Sequence, residues 1–253
     1  MSQAQQARDF VRTRGLPPGA DLPLLAVQAR ALYRVLSDRA NRRRAGDAAE
    51  AAHRGFALST RSHPPGPGIA CRAGCAFCCH TLIVVTAPEA FRLARHVRGD
   101  AAADRQRIAA AAAATRGVPA DQRARDRRPC ALLLDGRCTA YDARPLLCRA
   151  GNSLDAAACE AGFGDPGIVI PASAIPLRLK DAHMLALVAA LRAAALDARA
   201  YELNHALTVA LPSADAEQRW LSGEDVFAGV QQGPPPPPPH AALLERLAAE
   251  AAR

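Results

Sequence analysis

All eight cysteines of this 253-residue chain fall between positions 71 and 159. Four form a knot, Cys71, Cys75, Cys78 and Cys79, and four are spread more loosely as Cys130, Cys138, Cys148 and Cys159. Thiolates this concentrated are soft ligands for Zn²⁺, Cu(I) or an iron–sulfur cluster. A single cysteine is most often a small buried hydrophobe, and eight so close together weigh against that reading. Metal ligation needs sulfur atoms that converge within about 2.3 Å of one ion. Short spacings achieve this through small closed loops. If the knot is helical, Cys71, Cys75, Cys78 and Cys79 share one face; if it is a turn, Gly74 permits the tight backbone. Cys78 and Cys79 are adjacent, so they serve different ions, or one ligates and the other packs.

The looser set reads Arg128-Pro129-Cys130, then Cys138, Tyr141, Arg144-Pro145 and Cys148-Arg149. Arg144 and Arg149 bracket Cys148, and their guanidinium groups would offset the negative charge of a thiolate-bound centre. We therefore take them as cofactor-binding candidates. Together with Cys75, Cys78 and Cys79, these positions resemble the YkgJ-type cysteine-cluster family, described as a zinc- or iron-chelating domain with a CxxCxxCC signature. The resemblance covers roughly residues 68–160. One departure is that Cys71 stands four residues before Cys75, and Cys159 joins the candidate set by proximity alone. The resemblance implies a metal centre. Flagellin lysine methylases, which carry a related cluster, point toward iron–sulfur. All eight cysteines are carried forward as metal ligands. The expected cofactor is an iron–sulfur cluster, [4Fe–4S], or Zn²⁺, with Cu(I) a third option.

Other chemistry is thinly represented. His80 follows the Cys-Cys pair but reads as packing or solvent-facing, as do His63, His183 and His205. No Ser/His/Asp order, phosphate loop or dinucleotide fingerprint occurs, so no catalytic residue is nominated and enzyme activity is left open. The function expected is electron transfer, metal handling or redox sensing. The alternatives are a structural zinc module for regulation or interaction, and a cluster-dependent modifying enzyme.

The formal net charge is +8, carried by arginine with Lys180 as the one lysine. Because the arginines are interleaved with Asp and Glu, nucleic acid is a disfavoured partner. The first ten residues lack a basic segment followed by an apolar one, so no secretory signal is expected. No apolar run approaches the roughly 20 residues of a membrane span. A cytoplasmic location follows as the expectation, where stable disulfides are rare. The expected partner is a metal ion or cluster, with no membrane, and no protein partner is indicated.

The elements that must position the cysteines are mostly helical, because half the residues are hydrophobic and much of that is alanine. One or two helices are expected over 22–58. Thr86, Pro88 and Glu89 read as the cap, first turn and capping-box partner of a helix over Ala87 to Val97. An alanine-rich helix follows over about 101–115, and Arg123 to Arg128 reads as a charged link. Residues 130–159 read as loops and short turns. Residues 166–179 read as a strap punctuated by Pro166, Pro171 and Pro176. Helices are expected over 181–201 and 202–211, and from a Ser213 cap to Leu221, with Trp220 and Phe227 anchoring the C-terminal helices. The prolines at 234–239 read as a polyproline spacer. The fold class is mostly α, helices surrounding a loop-rich, cysteine-ligated metal-binding core. The expected divisions are an N-terminal helical segment (1–62), the cysteine-cluster domain (63–180), C-terminal helices packed on it (181–232), and a Pro-rich spacer with a short tail helix (233–253).

Overall fold

A computed structural model describes residues 22–97, 101–234 and 238–253. The expectations for residues 1–21 and for Pro235–Pro237 of the spacer lie outside the described residues. The fold is mostly α, with the cysteine-rich stretch set among the helices.

The central element is a helix over Ala174–Ala193 (α8). It packs against α1 (Leu22–Ser37), α2 (Arg44–Ser62), a short helix over Leu146–Ala150 (α6) and the last helix, Pro238–Ala251 (α11). A second layer is built on α3 (Ala87–Val97), which contacts α2 and α9 (Leu203–Ala210); α9 in turn covers α4 (Ala101–Thr115). Alanine makes this packing close. Ala45, Ala48, Ala87, Ala90, Ala186 and Ala190 are completely buried, so their helices approach with little side chain between them. Trp220, on α10 (Ala216–Leu221), and Phe227 both pack on Phe91, and Phe227 stacks on Tyr201 at 4.8 Å. These are the anchors the sequence indicates.

Two short strands organise the site side of the core. β1 (Val84–Thr86) pairs antiparallel with a strand over Ala200–Glu202, in the register Val84↔Glu202, Val85↔Tyr201 and Thr86↔Ala200. Each strand runs straight into a helix, β1 into α3 and its partner into α9. Each junction holds a glutamate whose side chain is almost wholly buried, Glu89 on one and Glu202 on the other.

Helix α3 has the expected limits. Others differ, for physical reasons. Helix α8 starts seven residues before 181, because Pro176 falls in its first turn, where a missing N–H costs nothing. It stops at Ala193 rather than 201. Ala195 takes the left-handed conformation (φ 53°) and Leu196 N–H bonds the Leu191 carbonyl at 2.9 Å, the closing pattern usually made with glycine. Residues Arg123–Arg128 are not simply a charged link: Ala120–Arg125 is a helix (α5), and the side chain of Arg123 is buried. Between 130 and 159, the expected loops include α6, the start of α7 (Ala156–Gly164) and a hairpin of β2 (Leu133–Leu134) with β3 (Arg137–Cys138). Pro238 and Pro239 open α11 instead of continuing a spacer. No helix among the described residues is long and apolar enough to cross a membrane.

Candidate metal centre

The knot is a turn, not a helix. Gly74 at φ 84° lets the chain reverse, Cys75 N–H bonds the Arg72 carbonyl at 3.0 Å, and residues Phe77–His80 form one 3₁₀ turn. That turn rests on α7: the rings of Phe77 and His80 lie 5.7 and 5.0 Å from Phe163. His80 donates from Nδ1 to the Ala76 carbonyl at 3.0 Å, so it packs as its sequence context suggests.

The knot and the looser set meet. Cys130 N–H bonds the Cys79 carbonyl at 2.8 Å, which joins the two segments directly. The chain then turns back through the β2–β3 hairpin, where Leu133 pairs with Cys138. Its two loop residues, Asp135 (φ 49°) and Gly136 (φ 72°), are both left-handed, as a two-residue hairpin turn of this twist demands. Asp-Gly after a run of three leucines was the available signal for this hairpin.

Six cysteines, Cys75, Cys78, Cys79, Cys130, Cys138 and Cys148, line one cavity of about 630 Å³. Leu82, Ile83, Leu93, Leu132, Leu147 and Leu203 form much of its apolar wall. Cys71 and Cys159 are not among its lining residues. Cys71 is exposed, accepts a hydrogen bond from Ser153 N–H at 3.3 Å, and interacts electrostatically with Cys75, Cys78 and, last, Cys159, which is buried on α7.

Arg144 stands at the cavity, its guanidinium 3.5 Å from the Tyr141 ring centre. Arg149 is placed differently. It donates to the backbone carbonyls of Arg144 (2.7 Å) and Asp142, bracing the Tyr141–Ala143 turn, and is absent from the cavity lining.

Two buried carboxylates hold the cysteine segments in place, and sequence reasoning missed this. Glu89 accepts from Thr86 N–H (3.0 Å) and the Thr86 hydroxyl (3.1 Å), as the capping motif predicts. Its other oxygen takes Leu146 N–H at 2.9 Å and His53 Nε2 at 3.2 Å. Leu146 begins the helix that carries Cys148. Burial pushes the Glu89 carboxyl up, but the hydrogen bond from His53 and those from Thr86 and Leu146 outweigh it and hold it below the usual range. Glu202 acts through Asn204: Asn204 Nδ2 donates to Glu202 at 3.1 Å, and Asn204 Oδ1 accepts from Ala131 N–H at 3.0 Å, one residue past Cys130. No local sequence signal reports these long-range bonds.

The thiols are tuned by the same burial. Cys130 is pushed up to about 12, and Cys148, Cys138 and Cys71 are raised, in each case chiefly because burial disfavours the thiolate. Cys78 is lowered by the hydrogen bond it shares with Cys79 and, secondarily, by Arg144; Cys79 is raised as the other member of that pair. The site is thus mostly neutral thiol without metal, and metal loading must release protons. Among the described residues no three His, Cys, Asp or Glu side chains are placed to hold one ion, so bonds of about 2.3 Å require the thiols to close on the metal. The donor set, six soft sulfurs around an apolar space, fits a thiophilic metal.

Residues 70–161 match the model of the CxxCxxCC family, whose description is "Putative zinc- or iron-chelating domain". The match spans all eight cysteines and under half of the chain. Comparisons with curated proteins and with solved structures found no match.

Proposed function

We propose, from the CxxCxxCC match and the cavity, that this chain is a cysteine-ligated metal protein whose centre is an iron–sulfur cluster, with [4Fe–4S] as the first assignment. The observation that carries the reading is the six thiols on one cavity of about 630 Å³. One tetrahedral Zn²⁺ would use four sulfurs at about 2.3 Å and occupy a small part of that space. A [4Fe–4S] cluster also takes four protein thiolates, but its iron and sulfide fill more of that space. In this reading the four ligands come from among Cys75, Cys78, Cys79, Cys130, Cys138 and Cys148, and Cys71 and Cys159 stand outside the primary set. Arg144 offsets charge at the cavity, while Arg149 acts by fixing the turn that carries Arg144. When bound, the cluster supplies one-electron chemistry, which suits electron transfer, metal handling or redox sensing.

The test is anaerobic purification followed by iron, zinc and acid-labile sulfide analysis. Iron with sulfide in a fixed ratio supports the cluster. Stoichiometric zinc in a colourless protein supports instead a structural zinc module for regulation or interaction. A folded, metal-free protein with eight free thiols, unable to take up either metal, would end the reading.

A further inference from the structure

Metal chelation by the cysteines leaves one buried charge unexplained. Arg123 has a side chain fully shielded from solvent. Its Nη2–H reaches the Arg128 carbonyl at 3.4 Å, a long bond, and its Nε–H and Nη1–H have no acceptor. Glu202 Oε1 stands 4.0 Å away, beyond hydrogen-bond reach. That oxygen already accepts from Asn204 Nδ2, and Oε2 accepts from His205 N–H at 2.8 Å. Arg123 is thus a buried cation whose one counter-ion, Glu202 at 4.0 Å, makes no hydrogen bond to it, and two of its donors are unused, an arrangement that further negative charge nearby would stabilise.

The surroundings point to where that charge arises. The carbonyl that Arg123 does bond belongs to Arg128, two residues before Cys130. The Glu202–Asn204 pair facing it holds Ala131 N–H, one residue after Cys130. Arg123 therefore lies against the segment that presents Cys130 to the cavity, and its charge acts on that thiol. When a thiol becomes a ligand, its S–H proton leaves to solvent and an S–metal bond replaces it, with no change of oxidation state. Four thiolates around a divalent ion then carry a net charge of about −2. Arg144 can meet that charge from within the cavity. On the Cys130 side, the protein supplies a cation that is otherwise underused.

We propose that Arg123 is the internal counter-charge of the cysteine metal centre, a positioning residue that balances the negative charge of metal-bound thiolates on the Cys130 side of the cavity. This rests on the metal-chelating reading above. It explains why a helix of only six residues buries an arginine here.

The test uses the full chain under anaerobic, reducing conditions, with Zn²⁺ as the probe competed against a chromophoric chelator. Arg123→Met and Arg123→Gln remove the charge; the second keeps a donor for the Arg128 carbonyl and so guards against a variant that fails to fold. Both are expected to weaken Zn²⁺ binding about 10–100-fold, the usual effect of losing a group that supports metal ligands. The urea midpoint of the metal-free protein is expected to fall less than that of the Zn²⁺-loaded protein, since without metal only Glu202, 4.0 Å away, loses a counter-charge. Arg123→Lys, which keeps the charge, is expected to bind within a few-fold of the unsubstituted chain. Unchanged affinity in the two neutral variants would overturn the proposal. So would an equal loss in all three variants accompanied by lower metal-free stability, which marks a purely structural residue. If the unsubstituted chain binds neither Zn²⁺ nor iron, the metal-chelating reading itself has failed, whatever the variants do.

Discussion

The substitution Glu89→Gln turns one carboxylate oxygen into an amide nitrogen and barely changes the shape of the side chain. At this site it forces a conflict. One oxygen of Glu89 accepts from Thr86 N–H and the Thr86 hydroxyl, and the other from Leu146 N–H and His53 Nε2. Glutamine keeps one acceptor oxygen and places two donors where the other stood. Its better orientation puts the amide nitrogen toward Thr86, whose hydroxyl can rotate and accept. Thr86 N–H is then left facing another donor in a site closed to solvent. One stranded buried donor costs about 1–3 kcal/mol, and the remaining bonds lose the extra strength of an ionised acceptor. The expected total is about 2–4 kcal/mol, measured as the difference in urea unfolding free energy of the metal-free protein near neutral pH. Glu89→Ala strands every donor and costs roughly 5 kcal/mol, since each stranded buried donor costs about 1–3 kcal/mol. The damage should be local before it is global. Amide exchange at Leu146–Ala150, the helix bearing Cys148, should accelerate more than exchange in α8. A Glu89→Gln protein within 0.5 kcal/mol of the unsubstituted chain would refute the claim that this carboxylate anchors the Cys148 segment.

Three further outcomes are expected. Cys130→Ser and Cys148→Ser should lose bound metal and make residues 70–161 sensitive to limited proteolysis, whereas Cys159→Ser, outside the cavity lining, should be milder; equal resistance in all three would contradict the ranking. Burial holds His183 down to about 4 from its ordinary 6.5. Its contribution is therefore intact above pH 6.5 and is lost as the pH falls toward 4, because the unfolded chain takes up the proton first. Between pH 7.5 and 4.5 this removes about 2–3 kcal/mol, and His183→Gln should flatten that part of the urea-stability profile. Finally, a Cβ on Gly46 would stand 2.7 Å from Arg95 Cζ, in a guanidinium pinned by Asp47 at 2.7 Å and Glu217 at 2.6 Å. Gly46→Ala should lower the unfolding free energy by about 1–2 kcal/mol in the same assay, and in an Arg95→Ala background alanine at 46 should no longer be the less stable residue, since helix propensity favours it.

Local signals carried through where their physics is local. Thr86, Pro88 and Glu89 mark the start of α3 because capping and first-turn geometry involve only neighbouring residues. The alanine-rich stretches mark helices because propensity is a property of each residue in its own turn. Signals that depend on a rarer conformation did not. Ala195 closes α8 in a left-handed conformation with no glycine to announce it, and Pro176 is as compatible with a first helical turn as with a break. The Asp135-Gly136 hairpin was legible in principle, but its strands are only two residues each and show no alternation.

By itself, the sequence determined that sulfur would dominate the chemistry, because eight cysteines at short, ordered spacing have few other uses, and that the frame would be mostly helical, because its apolar content is largely alanine. Tertiary structure decided which sulfurs share a cavity. Six line it, while Cys71 and Cys159 stand apart, a division that spacing cannot express because it depends on how the 3₁₀ turn settles on α7. It also decided the supports. Glu89 reaches 57 residues along the chain to Leu146, and Asn204 reaches 73 residues back to Ala131. Arg123, written among solvent-loving neighbours, is buried against the Arg128 carbonyl, two residues before Cys130. Bonds between residues so far apart exist only once the helices have packed, since packing both brings the groups together and removes the water that would otherwise satisfy them.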